Sequence, residues 1–161
     1  MGNTADATVN LNVTGGAPPD NTWKACETSA NTTDGFWYKF SGGNTADDDG
    51  TIEFDVDSSG NGNKFVDIQL ICADGWDPSN PTTSQGYRIT GIPIHYDTTE
   101  PSDKQDISIH KDDDPRCWQL KDKNTDEESG EFKVIVSYTG PGENPAVTTD
   151  IECDPAWRNK K

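Results

Sequence analysis

His95 and His110 are the two histidines of this 161-residue chain, and each is followed two positions later by an aspartate, Asp97 and Asp112. Positions i and i+2 of a β-strand share a face, so each His–Asp pair would point at one site. If the two strands were neighbours, two imidazoles and two carboxylates would converge as a transition-metal set suited to zinc or non-haem iron. A metal-dependent enzyme would have to be built on that set. Against it, 21 of the 29 acidic residues are aspartate, so an aspartate near a given histidine is ordinary. The competing expectation is a pair of exposed or strand-end histidines with no catalytic duty.

Runs of aspartate suggest a second chemistry, because calcium takes six to eight oxygens from carboxylates and carbonyls. Asp47-Asp48-Asp49-Gly50, Asp55-Val56-Asp57-Ser58-Ser59-Gly60 and Asp112-Asp113-Asp114 are the candidates. The second starts like an EF-hand loop, then fails: Gly62 stands at position eight and Val66 at position twelve, where an aliphatic residue and a glutamate belong. A calcium held in loops by Asp47, Asp49, Asp55 and Asp57 is one expectation, and solvated turns are the other.

Sugar recognition is a third chemistry, since pyranose rings stack on aromatic faces while Asp and Asn bond to hydroxyls. Asp74, Trp76, Asp77 and Asn80 combine those groups in one loop after the most apolar segment of the chain. The alternative for Trp76 is a plug over the edge of the core. No glycine-rich phosphate loop, no GxSxG elbow and no ordered Ser-His-Asp set is present. A glycosidase carboxylate pair cannot be chosen among 29 candidates.

These residues must be positioned by strands. Ala7, Val9, Leu11 and Val13 alternate with polar residues, as do Phe36, Tyr38 and Phe40, then Ile52, Phe54 and Val56, and later Phe132, Val134, Val136 and Tyr138. Period two means one buried face. Residues 65–72 form the best candidate for a central strand, and turn residues cluster where alternation breaks, at Gly15-Gly16, Gly42-Gly43, 58–63, 78–81 and 140–142. Helix signals are weak, with three Leu and one Met, and the charge of Asp122 to Gly130 predicts a solvated loop rather than a helical turn. Pro93 lacks a ladder donor and predicts an edge strand. The pattern therefore predicts an all-β fold, an antiparallel β-sandwich or jelly roll of about eight or nine short strands with little or no helix. Residues 1–161 read as one domain, with an ordered unit over 6–154 and frayed termini.

Cys26, Cys72, Cys117 and Cys153 include no CxxC pair. Their even number fits two disulfides, which would reinforce a thin core, with separate thiols as the alternative. Residues 1–6 lack a basic start and an apolar core. The expectation is a mature extracellular or cell-surface form without its leader, or else a cytoplasmic protein. A formal charge of −16 excludes a basic nucleic-acid binder, and no apolar run approaches a membrane span. The leading expectation is a non-enzymatic acidic β-sandwich, a binding or surface module with carbohydrate as ligand class. The alternatives are a self-assembling filament or inclusion subunit joined to another copy through its edge strands, and a metal-dependent enzyme using His95 and His110.

Overall fold

Val9, Leu11 and Val13 are buried, while Thr8, Asn10 and Asn12 between them are only partly so. The same alternation buries Phe36, Tyr38 and Phe40 against half-buried Trp37 and Lys39. Strands that hide one face must stack in layers. The computed structural model, which describes residues 3–15, 19–25, 27–28, 36–57, 59, 62–71, 86–97, 105–139, 149–153 and 156–160, is all-β, with no helix among those residues.

One layer is a six-stranded sheet. Its order is β2 (Lys24–Ala25), β4 (Phe36–Gly42), β1 (Ala7–Gly15), β6 (Lys64–Leu70), β10 (Cys117–Asp122) and β9 (Ile107–Asp114). Facing it are two four-stranded sheets. One runs β3 (Glu27–Thr28), β13 (Thr149–Cys153), β12 (Val134–Thr139), β7 (Gly86–Gly91); the other runs β5 (Ile52–Asp55), β14 (Ala156–Lys160), β11 (Glu128–Phe132), β8 (Ile94–Tyr96). Only Ile92 and Pro93 separate β7 from β8, and only Lys133 separates β11 from β12. Three of the four positions match, β13 with β14, β12 with β11 and β7 with β8, so these sheets are continuous with one another across a kink, while β3 and β5 are separate edge strands. At the kink the Lys133 N–H donates to the Pro93 carbonyl at 3.0 Å.

The layers share one core. The Phe36 ring meets that of Tyr87 edge-on at 6.4 Å. Further along, Val66 and Leu120 of the first sheet face Ile52, Phe54, Phe132 and Trp157 around a cavity of about 10 Å³, close to the volume that one water needs. Gly130 of β11 lies where the His95 carbonyl and the Trp157 ring leave no room for a Cβ, which lets β8 and β14 close on either side of it.

The all-β sandwich reading holds, with several differences of detail. The described residues form fourteen strand segments rather than eight or nine, because β2, β3, β13 and β14 lie outside the alternating segments and a kink divides β11 from β12. Pairing is antiparallel except for β1–β6 and β5–β14, which are parallel. After β4 the chain crosses to the other layer as β5, and so returns as β6 in the direction of β1. Pro93 does mark an edge, between β7 and β8 at the ends of their sheets. Strand structure also runs to Lys160, past the expected limit of 154, because Trp157 and Asn159 alternate inward on β14. The Asp122–Gly130 segment is not a solvated loop: Asp122 closes β10, Glu128 opens β11, and both are buried.

Among the described residues no disulfide is formed. Cys117 is a half-buried thiol on β10, its pKa pushed up to about 11 by burial and then by Asp67 and Asp114, which disfavours the thiolate. Cys153 is buried on β13 in the other layer. Cys26 and Cys72 lie outside the described residues.

Candidate functional site

The turn between β10 and β11 gathers buried carboxylates. Asp122, the last residue of β10, accepts at Oδ1 from the Asn124 N–H (2.8 Å) and from Asn159 Nδ2 of β14 (3.0 Å). Asn124 adopts a left-handed backbone, φ 58°, a conformation that asparagine tolerates better than most residues. Its own carbonyl accepts from the Asp57 N–H at 2.8 Å, and its Nδ2 donates to the Asp55 carbonyl. Asp106, just before β9, holds the turn from the other side: its Oδ2 accepts from the N–H groups of Thr125 (2.7 Å) and Asp126 (2.8 Å). Its own N–H donates to Glu128 Oε1 at 3.1 Å.

This network draws Asp106, Asp122 and Glu128 together, one carboxylate oxygen from each lying within 4.8 Å of the others. The three residues are 2, 3 and 6 % exposed. Among the described residues none of them forms an ion pair. Desolvation penalises the charged form: burial pushes Asp122 up to about 6, and burial with the neighbouring carboxylates pushes Glu128 up to about 8. Tyr96, whose hydroxyl accepts from the Ile107 N–H at 3.1 Å, is raised to about 12, by burial first and then by the same acids. Such a triad could hold a metal ion.

A second feature is an open cleft of about 560 Å³ beside the turn after β4. Lys24, Lys39, Thr22 and Glu131 line it opposite Asp47 to Asp49. The turn is rigidly built. Asp48 Oδ1 accepts from the Gly42 N–H at 2.7 Å, Asp49 Oδ1 accepts from the Thr51 N–H at 3.0 Å, and the Asn44 side chain clamps both backbone groups of Glu53. Hydrogen bonding from Thr51 holds Asp49 below the usual carboxylate range.

No known protein family matches this chain, and no curated protein matches it. Site chemistry has to be read from the geometry.

The residues singled out by sequence spread widely. His95 and Asp97 are exposed on or beside β8, and His110 and Asp112 are exposed on β9. Those strands belong to different sheets, so the pairing that would make the two histidines converge is absent. Instead, Asp97 Oδ2 accepts from the Ser129 hydroxyl, and His110 packs on Phe65 with ring centroids 5.0 Å apart. Asp47 and Asp49 line the cleft, whereas Asp55 ends β5 and Asp57 caps Ser59. The four are not brought to one point. Asp74, Trp76, Asp77 and Asn80 lie outside the described residues.

Asp106, Asp122, Asn124, Glu128 and Asn159 were not foreseen. One signal was available: Asp122, Asn124, Asp126 and Glu128 place an oxygen donor at every second position. Asp106 and Asn159 carry no comparable mark.

Proposed function

We propose that this protein is a non-enzymatic binding module whose ligand is a carbohydrate held in the cleft beside the β4–β5 turn. The observation that carries this reading is the lining of the cleft. Lys24 and Lys39 offer cationic donors, Asp47 to Asp49 offer acceptors, and Thr22 and Thr51 offer hydroxyls, all around an open volume of about 560 Å³. Sugar hydroxyls donate and accept together, and this mixture answers both roles. A glycosidase needs a carboxyl raised in pKa to act as the acid. In the cleft Asp49 is shifted the other way, so it does not fit the acid's role. On this reading the protein works outside the cell or at its surface, where polysaccharide is met.

The other function classes draw less support. As an edge for pairing with a second copy, β9 carries Lys111, Asp112, Asp113 and Asp114, charges of the kind that oppose edge-to-edge association. His95 and His110 sit on separate sheets. The test is a glycan array followed by calorimetric titration of the best polysaccharide. Wild type binds, and an Asp47→Ala, Lys24→Ala double variant, at two exposed residues of the lining, loses at least tenfold in affinity without a change in melting temperature. A blank array, or binding untouched by the double variant, overturns the proposal.

A further inference from the structure

The cluster at the β10–β11 turn holds three unsatisfied acceptors, with one unsatisfied donor, Trp157 Nε1, beside them on β14. Glu128 Oε2, Asn124 Oδ1 and Asn159 Oδ1 are buried without a hydrogen-bond partner among the described residues. All three are oxygens. Asn124 and Asn159 are 0 and 1 % exposed, and each contacts Asp122 Oδ1 through a donor, Asn159 through its Nδ2 and Asn124 through its backbone N–H, while the Asn124 Nδ2 reaches the Asp55 carbonyl. A buried acceptor left unmade is costly, and carboxylates packed without a counter-charge are costlier still. Protonation relieves only the charge, whereas a bound cation would relieve both costs.

From this geometry we infer that Asp106, Asp122 and Glu128, with the amide oxygens of Asn124 and Asn159, form a buried calcium site that fastens the two layers of the sandwich together. The donors are carboxylate and amide oxygens, with no imidazole or thiolate among them, which selects a hard cation over zinc or iron. Calcium accepts an irregular shell of protein oxygens, whereas magnesium demands a near-ideal octahedron and keeps several waters, for which a cluster this buried has little room. Asp122 ends β10 of the six-stranded sheet and Asp106 immediately precedes its β9, Glu128 and Asn159 belong to the facing one, and Asn124 to the turn between β10 and β11. The ion would thus bridge both layers where the cavity beside Asp122 leaves the core thin. This site is separate from the cleft and stands or falls independently of it.

The experiment uses the full chain, stripped with a chelator and titrated with calcium chloride, magnesium chloride or terbium chloride. Native mass spectrometry counts bound ions, thermal melting follows stability, and terbium emission is excited through Tyr96 and Trp157, whose rings lie 5.0 Å apart. The expected result is one calcium per chain and a melting temperature raised by roughly 5–10 °C at a hundredfold excess over Kd. Terbium emission should be quenched by added calcium and not by equimolar magnesium. Glu128→Gln should abolish the shift and the emission, while an Asp47→Asn, Asp49→Asn variant in the exposed turn keeps both. Wild-type protein that binds no calcium by mass spectrometry overturns the inference, whatever the variants do. So does terbium emission lost in the turn variant but kept in Glu128→Gln, and magnesium acting as well as calcium overturns the identity of the ion.

Discussion

Asp47–Asp49 and the Asp106–Asp122–Glu128 triad are both dense in acid, and in both the carboxylates accept backbone N–H bonds. Asp48 and Asp49 cap Gly42 and Thr51, much as Asp106 caps Thr125 and Asp126. Hydrogen bonding to the backbone therefore does not distinguish them; water does. The turn aspartates are exposed, so solvent satisfies what the protein leaves open, and Asp49 is shifted down by the bond from Thr51. In the triad, burial outweighs the hydrogen bonds, shifting Asp122 and Glu128 up and leaving oxygens with no partner. The same residue type behaves as an ordinary turn former in one place and as an unsettled charge in the other.

The contrast breaks most visibly at Asp122. Asp122→Ala should cost about 3 kcal/mol or more in calcium, because it leaves the Asn124 N–H and the Asn159 amide without their acceptor and removes a ligand. Asp48→Ala, which also removes the acceptor of a backbone N–H, should cost only about 1 kcal/mol, since water can take its place. Urea unfolding of both variants in calcium measures the difference. Equal losses would mean that burial is not what separates the two regions.

Acid and base sharpen the comparison further. Asp122 and Glu128 titrate in the folded chain near 6 and 8, above their ordinary values of 3.8 and 4.5. The native state thus holds these protons more tightly than the unfolded state does. Their contribution is fully present below the ordinary carboxylate range and is lost as pH rises through about 6 and then about 8. Asp49, shifted down, contributes in the opposite sense, and its share is lost only as pH falls through its lowered value. Chelated protein should therefore melt at progressively lower temperature between pH 5 and pH 8.5, a trend that Glu128→Gln flattens at its upper end. Calcium should remove the trend, because ligands must be deprotonated to bind. A melting temperature that climbs over this range in chelator would contradict the assignment.

Period-two alternation made much of the fold legible. It marked Val9, Leu11 and Val13 of β1, Phe36, Tyr38 and Phe40 of β4, and Phe132, Val134 and Val136 across β11 and β12 as inward, and all are buried. It did not mark the kinks, because Lys133 and Pro93 interrupt hydrogen-bond ladders without interrupting the apolar pattern. The cluster was illegible for a different reason. Asp122 meets Asn159 across 37 positions, and Asp106 meets Glu128 across 22, so no local window contains the set. A charge-rich segment such as Asp122 to Gly130 ordinarily faces solvent. Here two layers close over it, and that is a property of the sheets rather than of the segment.

β14 carries the smallest expected effect and the narrowest form of the comparison, since its two faces differ by one residue step. Asn159 points inward to Asp122, whereas Arg158 points outward and pairs with Glu53 of the parallel neighbour β5. A surface ion pair of this kind contributes little, because the Arg158 guanidinium stays in water, even though Glu53 is mostly covered, and two side chains lose freedom to form it. Arg158→Ala should change unfolding free energy by less than about 0.5 kcal/mol and leave calcium-dependent melting intact. Asn159→Ala, one residue along, should weaken calcium binding measurably. If Arg158→Ala instead proved the more damaging of the two in a calcium titration followed by melting, the strand would be held from its outer face, and the buried oxygens would not be what ties β14 to the facing sheet.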